Sequence, residues 1–266
     1  MTYLDAREAL RGERDPMVPP RRYDWPGRAP HLGKRIVEHA LIDGAGLLPH
    51  ERVLDIGSGP GRNAVHLTKY IDGGSYEGFD VIPDAIEWAQ RRITPGHPAF
   101  RFRLLDLRNQ SYNPGGAESA AEVRFPYPDD GFNVAFATSV YTHMLPFETE
   151  HYLGESARVL AAGGRVASTF FLINEESERA LRAGIPRPQL SGGLLRMEHE
   201  FTDPAGRRYR SPHAVNHERM LALYEEDAIA MHERAGFEVL EVRHGFWAGR
   251  DRGVGLGQDL IVARVG

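Results

Sequence analysis

Apolar and polar positions follow two rhythms along this chain. From His31 to Leu48 the apolar residues Leu32, Ile36, Val37, Ala40 and Leu41 recur at helical spacing. Arg52-Val53-Leu54-Asp55-Ile56 is instead a short apolar run halted by Gly57, Gly59 and Gly61, after which Ala64, Val65 and Leu67 resume a helical period. This unit of strand, glycine turn and helix recurs. Tyr76 to Val81, Phe100 to Leu105, Phe132 to Ala137, Arg165 to Leu172, Phe237 to Val242 and Leu260 to Val265 read as further strands. Ala85 to Arg92, Glu148 to Leu160 and Glu225 to Ala235 read as helices. Seven strands alternating with helices predict an α/β fold with a doubly wound, mostly parallel sheet.

Three segments break the rhythm. Residues 1–30 carry Pro16, Pro19, Pro20, Pro26 and Pro30 and are expected to form an N-terminal arm, either disordered or laid across the domain with Tyr23 and Trp25 as anchors. The main domain is then 31–266. Within it, Gln110 to Asp130 is rich in Gly, Pro and Ser, and a longer insertion spans about 174–224. Insertions of that length in compact domains commonly serve as lids or substrate loops.

Composition narrows the function classes. The 266 residues are 41% hydrophobic and 26% charged, so the chain is long enough for a sizeable core. No cysteine is present, which excludes disulfides and thiolate chemistry. A net charge of −5 disfavours nucleic acid as the main partner and points to a small molecule, although a local arginine face could override net charge; all basic residues but Lys34 and Lys69 are arginines. No stretch approaches the roughly 18 apolar residues of a membrane helix, and Met1 to Asp15 is charged where a signal peptide is greasy, so the expected location is the cytoplasm.

The first glycine turn is the natural ligand anchor of such a sheet. Here Arg62 stands where the third glycine of G-x-G-x-x-G belongs, and no G-x-x-x-x-G-K-[ST] loop occurs, which disfavours dinucleotides and nucleoside triphosphates. The stretch Val53-Leu54-Asp55-Ile56-Gly57-Ser58-Gly59-Pro60-Gly61 resembles motif I of the class I S-adenosylmethionine-dependent methyltransferases. Further landmarks follow in order over roughly residues 35 to 266: Asp80-Val81, Asp106-Leu107, the turn Phe125-Pro126-Tyr127-Pro128-Asp129-Asp130-Gly131-Phe132, and Arg158-Val159-Leu160-Ala161-Ala162-Gly163-Gly164.

The resemblance implies S-adenosyl-L-methionine as methyl donor. It assigns Asp55, Gly57, Ser58, Gly59 and Gly61 to the turn around the donor's amino acid end, and Asp80 to the ribose hydroxyls. Val81, Asp106 and Leu107 would meet the adenine, and Thr138 would close the donor site. A purely structural reading competes: the glycines as a tight turn, Asp80 and Asp106 as strand-end caps.

The residues past the fourth strand, Ala137-Thr138-Ser139-Val140-Tyr141-Thr142-His143-Met144, lack the [DN]-P-P-[YFW] signature of amide and exocyclic-amine methylation. His143 is the candidate general base for a hydroxyl acceptor such as a sugar or secondary metabolite, its alternative being a packed or capping histidine. An N- or C-methyltransferase and a non-catalytic donor-binding subunit stay open. Secondary candidates are His199, Glu200, Asp203, His213 and His217, with Arg207, Arg208 and Arg210 as a local basic cluster that either holds an anionic group of the acceptor or, as such runs more often do, forms a solvated loop, and the loop His244 to Arg250 as pocket lining. No metal cluster stands out, and the oligomeric state is not legible.

Overall fold

The computed structural model describes residues 5, 8, 11–12, 15–23, 32–184, 196–250 and 257–266. Trp25, Pro26, Pro30 and His31 lie outside them. The expected sheet forms from β1 (Arg52–Ile56), β2 (Ser75–Asp80), β3 (Phe100–Leu104), β4 (Phe132–Ala137), β5 (Leu160–Phe170), β6 (Phe237–Arg243) and β7 (Asp259–Val265). Their order is β6-β7-β5-β4-β1-β2-β3. Only β7 is reversed, pairing antiparallel with both neighbours, so six strands share one direction.

The period of two along each strand divides the core between the faces. Leu54, Ile56, Ala135, Ala137, Phe170 and Ile261 pack on one side, and Val53, Val134, Phe136, Ala167 and Val262 on the other. The helices covering them are α1 (Leu32–Ile36), α2 (Ala64–Leu67), α3 (Pro83–Arg92), α4 (Pro146–Val159) and α6 (Glu225–Arg234), whereas α5 (Glu175–Ala183) packs against the insertion. Pro83 and Pro146 start their helices, where a missing N–H costs nothing.

Two boundaries differ from expectation. The first helix leaves α-geometry after Ile36, widens into a π-turn over Val37–Ile42, and stops before Gly44 and Gly46 rather than reaching Leu48. The fifth strand starts at Leu160 and absorbs Gly163 and Gly164 through a register shift against β4, with Gly163 in the left-handed region. It ends at Phe170, because Leu172–Ile173 turns into a second sheet.

That sheet is the insertion's framework. Leu172–Ile173 pairs in parallel with Ala222–Tyr224, followed by Arg208–Ser211 and His199–Thr202. Phe171, Ile173, Met197, Tyr224 and Trp247 form its own small core. Asn174 caps α5 through Ser177, the two side chains bonding each other's backbone N–H at 2.8 and 2.9 Å. Buried Asp259 of β7 fastens the junction, accepting from the N–H groups of Leu172 and Gly245, from Trp247 Nε1 and from Arg250 Nη1. Among the described residues no helix is long and apolar enough to cross a membrane.

Candidate active site

A cleft of about 290 Å³ opens where β1, β2 and β4 end. The glycine turn forms one wall. Gly57, Gly59 and Gly61 all have positive φ, at 74°, 52° and 78°. A Cβ on Gly57 would stand 2.4 Å from Val140 Cγ2, so only glycine lets the turn meet the segment after β4. The N–H groups of Gly57 and Ser58 both donate to the Phe79 carbonyl at 2.9 Å, which ties the turn to the end of β2.

Asp80 completes that tie. Its Oδ2 accepts from Gly59 N–H at 2.7 Å and its Oδ1 from Ile82 N–H at 3.0 Å. Burial pushes the carboxyl above its ordinary range, and these N–H groups pull it back. Each oxygen retains a lone pair, and Asp80 lines the cleft beside Val81 and Leu107.

Other expected residues distribute differently. Ser58 and Thr138 line the cleft; Ser58 Oγ is buried without a hydrogen-bond partner, and Thr138 Oγ1 accepts from Asn63 Nδ2 at 3.2 Å. Gly61 lies behind the turn, packed on Ile93 and Phe102. Asp55 is fully buried beneath the turn, bonded by the Tyr76 hydroxyl at 2.6 Å, and its Oδ1 has no hydrogen-bond partner. Burial raises its carboxyl well above the ordinary range. Asp106 is exposed and accepts from Asn113 Nδ2 at 3.1 Å; the cleft wall includes Leu107 and not Asp106.

His143 sits on the 3₁₀ turn Tyr141–His143 and lines the far end of the cleft. Its Nδ1 lies 3.0 Å from the Glu218 carbonyl. A carbonyl only accepts, so Nδ1 carries the proton and Nε2 presents a lone pair in the neutral ring. Burial holds the imidazole below its ordinary value of 6.5, with the Glu218 carbonyl opposing. Just before this turn Ser139 adopts φ 59°, an unusual conformation for a residue with a Cβ. Its N–H donates to Thr169 Oγ1 at 2.8 Å and its hydroxyl to Gln258 Oε1 at 3.1 Å. Backbone strain held by neighbours in this way clusters at functional sites.

Sequence reading missed Asn109, Tyr112 and Glu148 and gave Tyr23 only as an anchor of the arm, and all four line the cleft. Glu148 is the third residue of α4, its Oε2 accepting from Leu145 N–H at 2.9 Å, and burial pushes its carboxyl up to about 7. Tyr23 comes from the arm: its carbonyl accepts from Arg62 at 3.3 Å and its hydroxyl donates to the Asp84 carbonyl at 3.1 Å. The expected secondary candidates are elsewhere. Arg207 pairs with Asp203 and Glu150, Arg210 with Glu178 and Glu200, and Arg208 lies over Tyr224, so the arginine cluster is neutralised internally. His217 stacks on Phe201 and bonds the Tyr209 hydroxyl. The loop His244 to Arg250 gathers around Asp259 and Glu225 and does not line the cleft. Among the described residues no group of three or more His, Asp or Glu could hold a metal ion.

Fold and cleft define a Rossmann-like α/β domain whose acid-ended second strand and glycine turn suit a ribose-bearing ligand. Residues 53–164 match the family model described as a methyltransferase domain. The chain is 31% identical over 132 residues to 27-O-demethylrifamycin SV methyltransferase of Amycolatopsis mediterranei, a match covering 48% of this chain and 43% of that protein. A S-adenosylmethionine-dependent methyltransferase from Methanosarcina mazei superposes with a TM-score of 0.52 at 18% identity, over 85% of this chain and 96% of the other. The Burkholderia thailandensis 1,6-didemethyltoxoflavin-N1-methyltransferase, solved with its acceptor and S-adenosylhomocysteine, does so at 0.51 and 17%, over 99% and 83%. These two likenesses establish the fold.

The cleft fits S-adenosylmethionine as donor: the turn approaches closely because Gly57 lacks a Cβ, and Asp80 keeps acceptor capacity toward the cleft.

Proposed function

We propose that this chain transfers a methyl group from S-adenosylmethionine to a hydroxyl of a small molecule, with His143 as general base. The donor supplies an already activated methyl group, so the protein's work is to position the acceptor and take its proton. Asp80 holds the ribose hydroxyls, Val81 and Leu107 flank the adenine, and the backbone of Gly57 to Gly59, with Ser58 and Thr138, faces the amino acid end. Asp55 stays beneath the turn, its buried carboxyl bonded by the Tyr76 hydroxyl.

The observation that carries the hydroxyl reading is the fixed tautomer of His143. With Nδ1–H engaged by the Glu218 carbonyl at 3.0 Å, the cleft holds an imidazole whose other nitrogen accepts a proton. Burial keeps that ring neutral at physiological pH. A hydroxyl needs such a base, whereas a neutral amine nucleophile hardly does. The printed name of the Amycolatopsis relative, an O-demethyl substrate's methyltransferase, supports the same reading. Internal pairing of Arg207 and Arg210 supports a small acceptor over a nucleic acid.

The test is methyl-labelled S-adenosylmethionine offered with matched phenols, aliphatic alcohols and amines. Label in the hydroxyl compounds is expected, with kcat of His143→Ala lower by about 10²-fold or more. Its calorimetric affinity for S-adenosylhomocysteine should stay within about twofold of wild type. Label in amines alone, with His143→Ala at full rate, would replace this reading with N-methylation.

A further inference from the structure

His143 Nε2 does not face the cleft bare: the Tyr112 hydroxyl lies 3.3 Å from it, with the two rings in edge-to-face contact at 5.2 Å and 88°. With Nδ1 committed to donating toward Glu218, Nε2 accepts, so the Tyr112 hydroxyl is the donor. We infer that Tyr112 is a further catalytic residue, the group through which His143 receives the acceptor's proton. This inference rests on the hydroxyl-methylation reading above.

Three contacts make the pairing a built feature. Asn109 Oδ1 accepts from the N–H groups of Ser111 and Tyr112 at 3.0 and 3.1 Å, fixing the turn that carries the tyrosine. Asn109 Nδ2 donates to the His143 carbonyl at 3.0 Å, which clamps that turn to the histidine's own backbone. Gln110 N–H donates to Glu218 Oε2 at 2.7 Å, tying the same turn to the residue that orients Nδ1. These bonds fix the backbone from which the tyrosine ring reaches Nε2. Both Tyr112 and His143 line the cleft, the space in which an acceptor hydroxyl would meet the pair.

The step balances as a double proton transfer. The acceptor's O–H bond breaks as its oxygen bonds the incoming methyl carbon, and that proton passes to the Tyr112 oxygen. The Tyr112 proton moves to His143 Nε2. The methyl–sulfur bond breaks with its electron pair left on sulfur, giving a neutral thioether, an imidazolium and an unchanged tyrosine. The imidazolium then releases its proton to water. Tyr112 and Asn109 thus have different roles: the first handles the proton, the second is a positioning residue.

The experiment compares Tyr112→Phe, His143→Ala and wild type with the hydroxyl compound the acceptor screen identifies. It adds ¹⁵N NMR of the histidine rings in protein saturated with S-adenosylhomocysteine, and a thermal melt to confirm folding. For Tyr112→Phe, a relay predicts kcat lower by about 10²-fold, KM and donor affinity within about twofold, and the acidic limb of the pH profile retained. It also predicts that the His143 Nε2 resonance moves to the position of an unbonded ring nitrogen. Wild-type turnover in Tyr112→Phe, beside an inactive His143→Ala, would overturn the relay and leave the base intact. An Nε2 resonance unmoved by Tyr112→Phe would overturn it without any acceptor. Full turnover in His143→Ala would remove both the base and the relay.

Discussion

In the proposed donor site Asp80 has two tasks, because its two oxygens already hold the turn (Gly59) and the entry to α3 (Ile82). Asp80→Ala is therefore expected to lose the charge-assisted bonds to ribose and to loosen the turn together. At about 1.5–3 kcal/mol for a bond to a charged group, affinity for S-adenosylhomocysteine should fall about 10- to 100-fold by calorimetry. Unchanged affinity would remove Asp80 from the donor site. For His143, burial lowers the pKa, so the active neutral ring persists as pH drops and the acidic limb of kcat/KM should fall below the ordinary 6.5. A limb above 6.5 would assign it to another group, and Glu148, held at about 7, is the one in the cleft. Asp80 and His143 were legible because each sits at a fixed offset from a strand end. Tyr112 and Glu148 were not, since what places them at the cleft is a turn clamped by Asn109 and a helix start capped at Leu145. Asp106 had the right offset, yet the chain turns there and leaves its carboxylate exposed beside Asn113.

Whole elements show the same division between local and distant causes. The strands were readable from their apolar runs, whereas the π-turn after Ile36 and the early start of β5, which takes up Gly163 and Gly164 by a register shift against β4, leave no mark in that pattern. The arginines of the insertion read as an anion site because their partners Glu150 and Glu178 stand 57 and 32 residues away. The arm contributes one clear wall: Tyr23 bridges Arg62 and Asp84 across the donor end. Tyr23→Ala, which removes the hydroxyl's bond to Asp84 and keeps the carbonyl that Arg62 reaches, should weaken donor binding several-fold and leave the acceptor's KM unaltered; equal affinity would show that the Tyr23 side chain does not retain the donor. Asp259 anchors the other large addition. In Asp259→Ala, buried Arg250 loses its buried counterion and keeps only the exposed Glu176 as a counterion, and three further donors lose their acceptor. Denaturant unfolding should register a loss of about 3–5 kcal/mol, and a loss under 1 kcal/mol would mean the insertion is held by its apolar core alone.

For the molecule as a whole, buried titratable groups pull stability in opposite directions with pH. His232 of α6 is fully buried with Nδ1 on the Ala228 carbonyl at 2.7 Å, and burial lowers its pKa to about 4. A depressed histidine favours folding above its unfolded value of 6.5, and that contribution is lost as pH falls from 6.5 through 4. Asp259 and Glu148, raised to about 6 and 7, behave oppositely: their contribution is present in acid and lost as pH rises through those values. The histidine's part is isolated by comparison with His232→Leu. The stability difference between wild type and variant should shift against wild type by roughly 3 kcal/mol between pH 7 and pH 3.5, and parallel curves would contradict it.

The bond from His143 Nδ1 to the carbonyl of residue 218 has an evolutionary consequence. The group that orients the imidazole belongs to the insertion, and it is main chain. Any amino acid at 218 could supply it, provided the loop keeps its path, so this bond would outlast substitutions there that remove the separate bond from Gln110 N–H to the Glu218 side chain. Grafting a foreign acceptor-binding segment between β5 and α6 would, by contrast, keep the histidine and silently discard its orientation. Swapped chimeras should accordingly be judged by whether a carbonyl returns to that place, a property that no comparison of side chains would reveal.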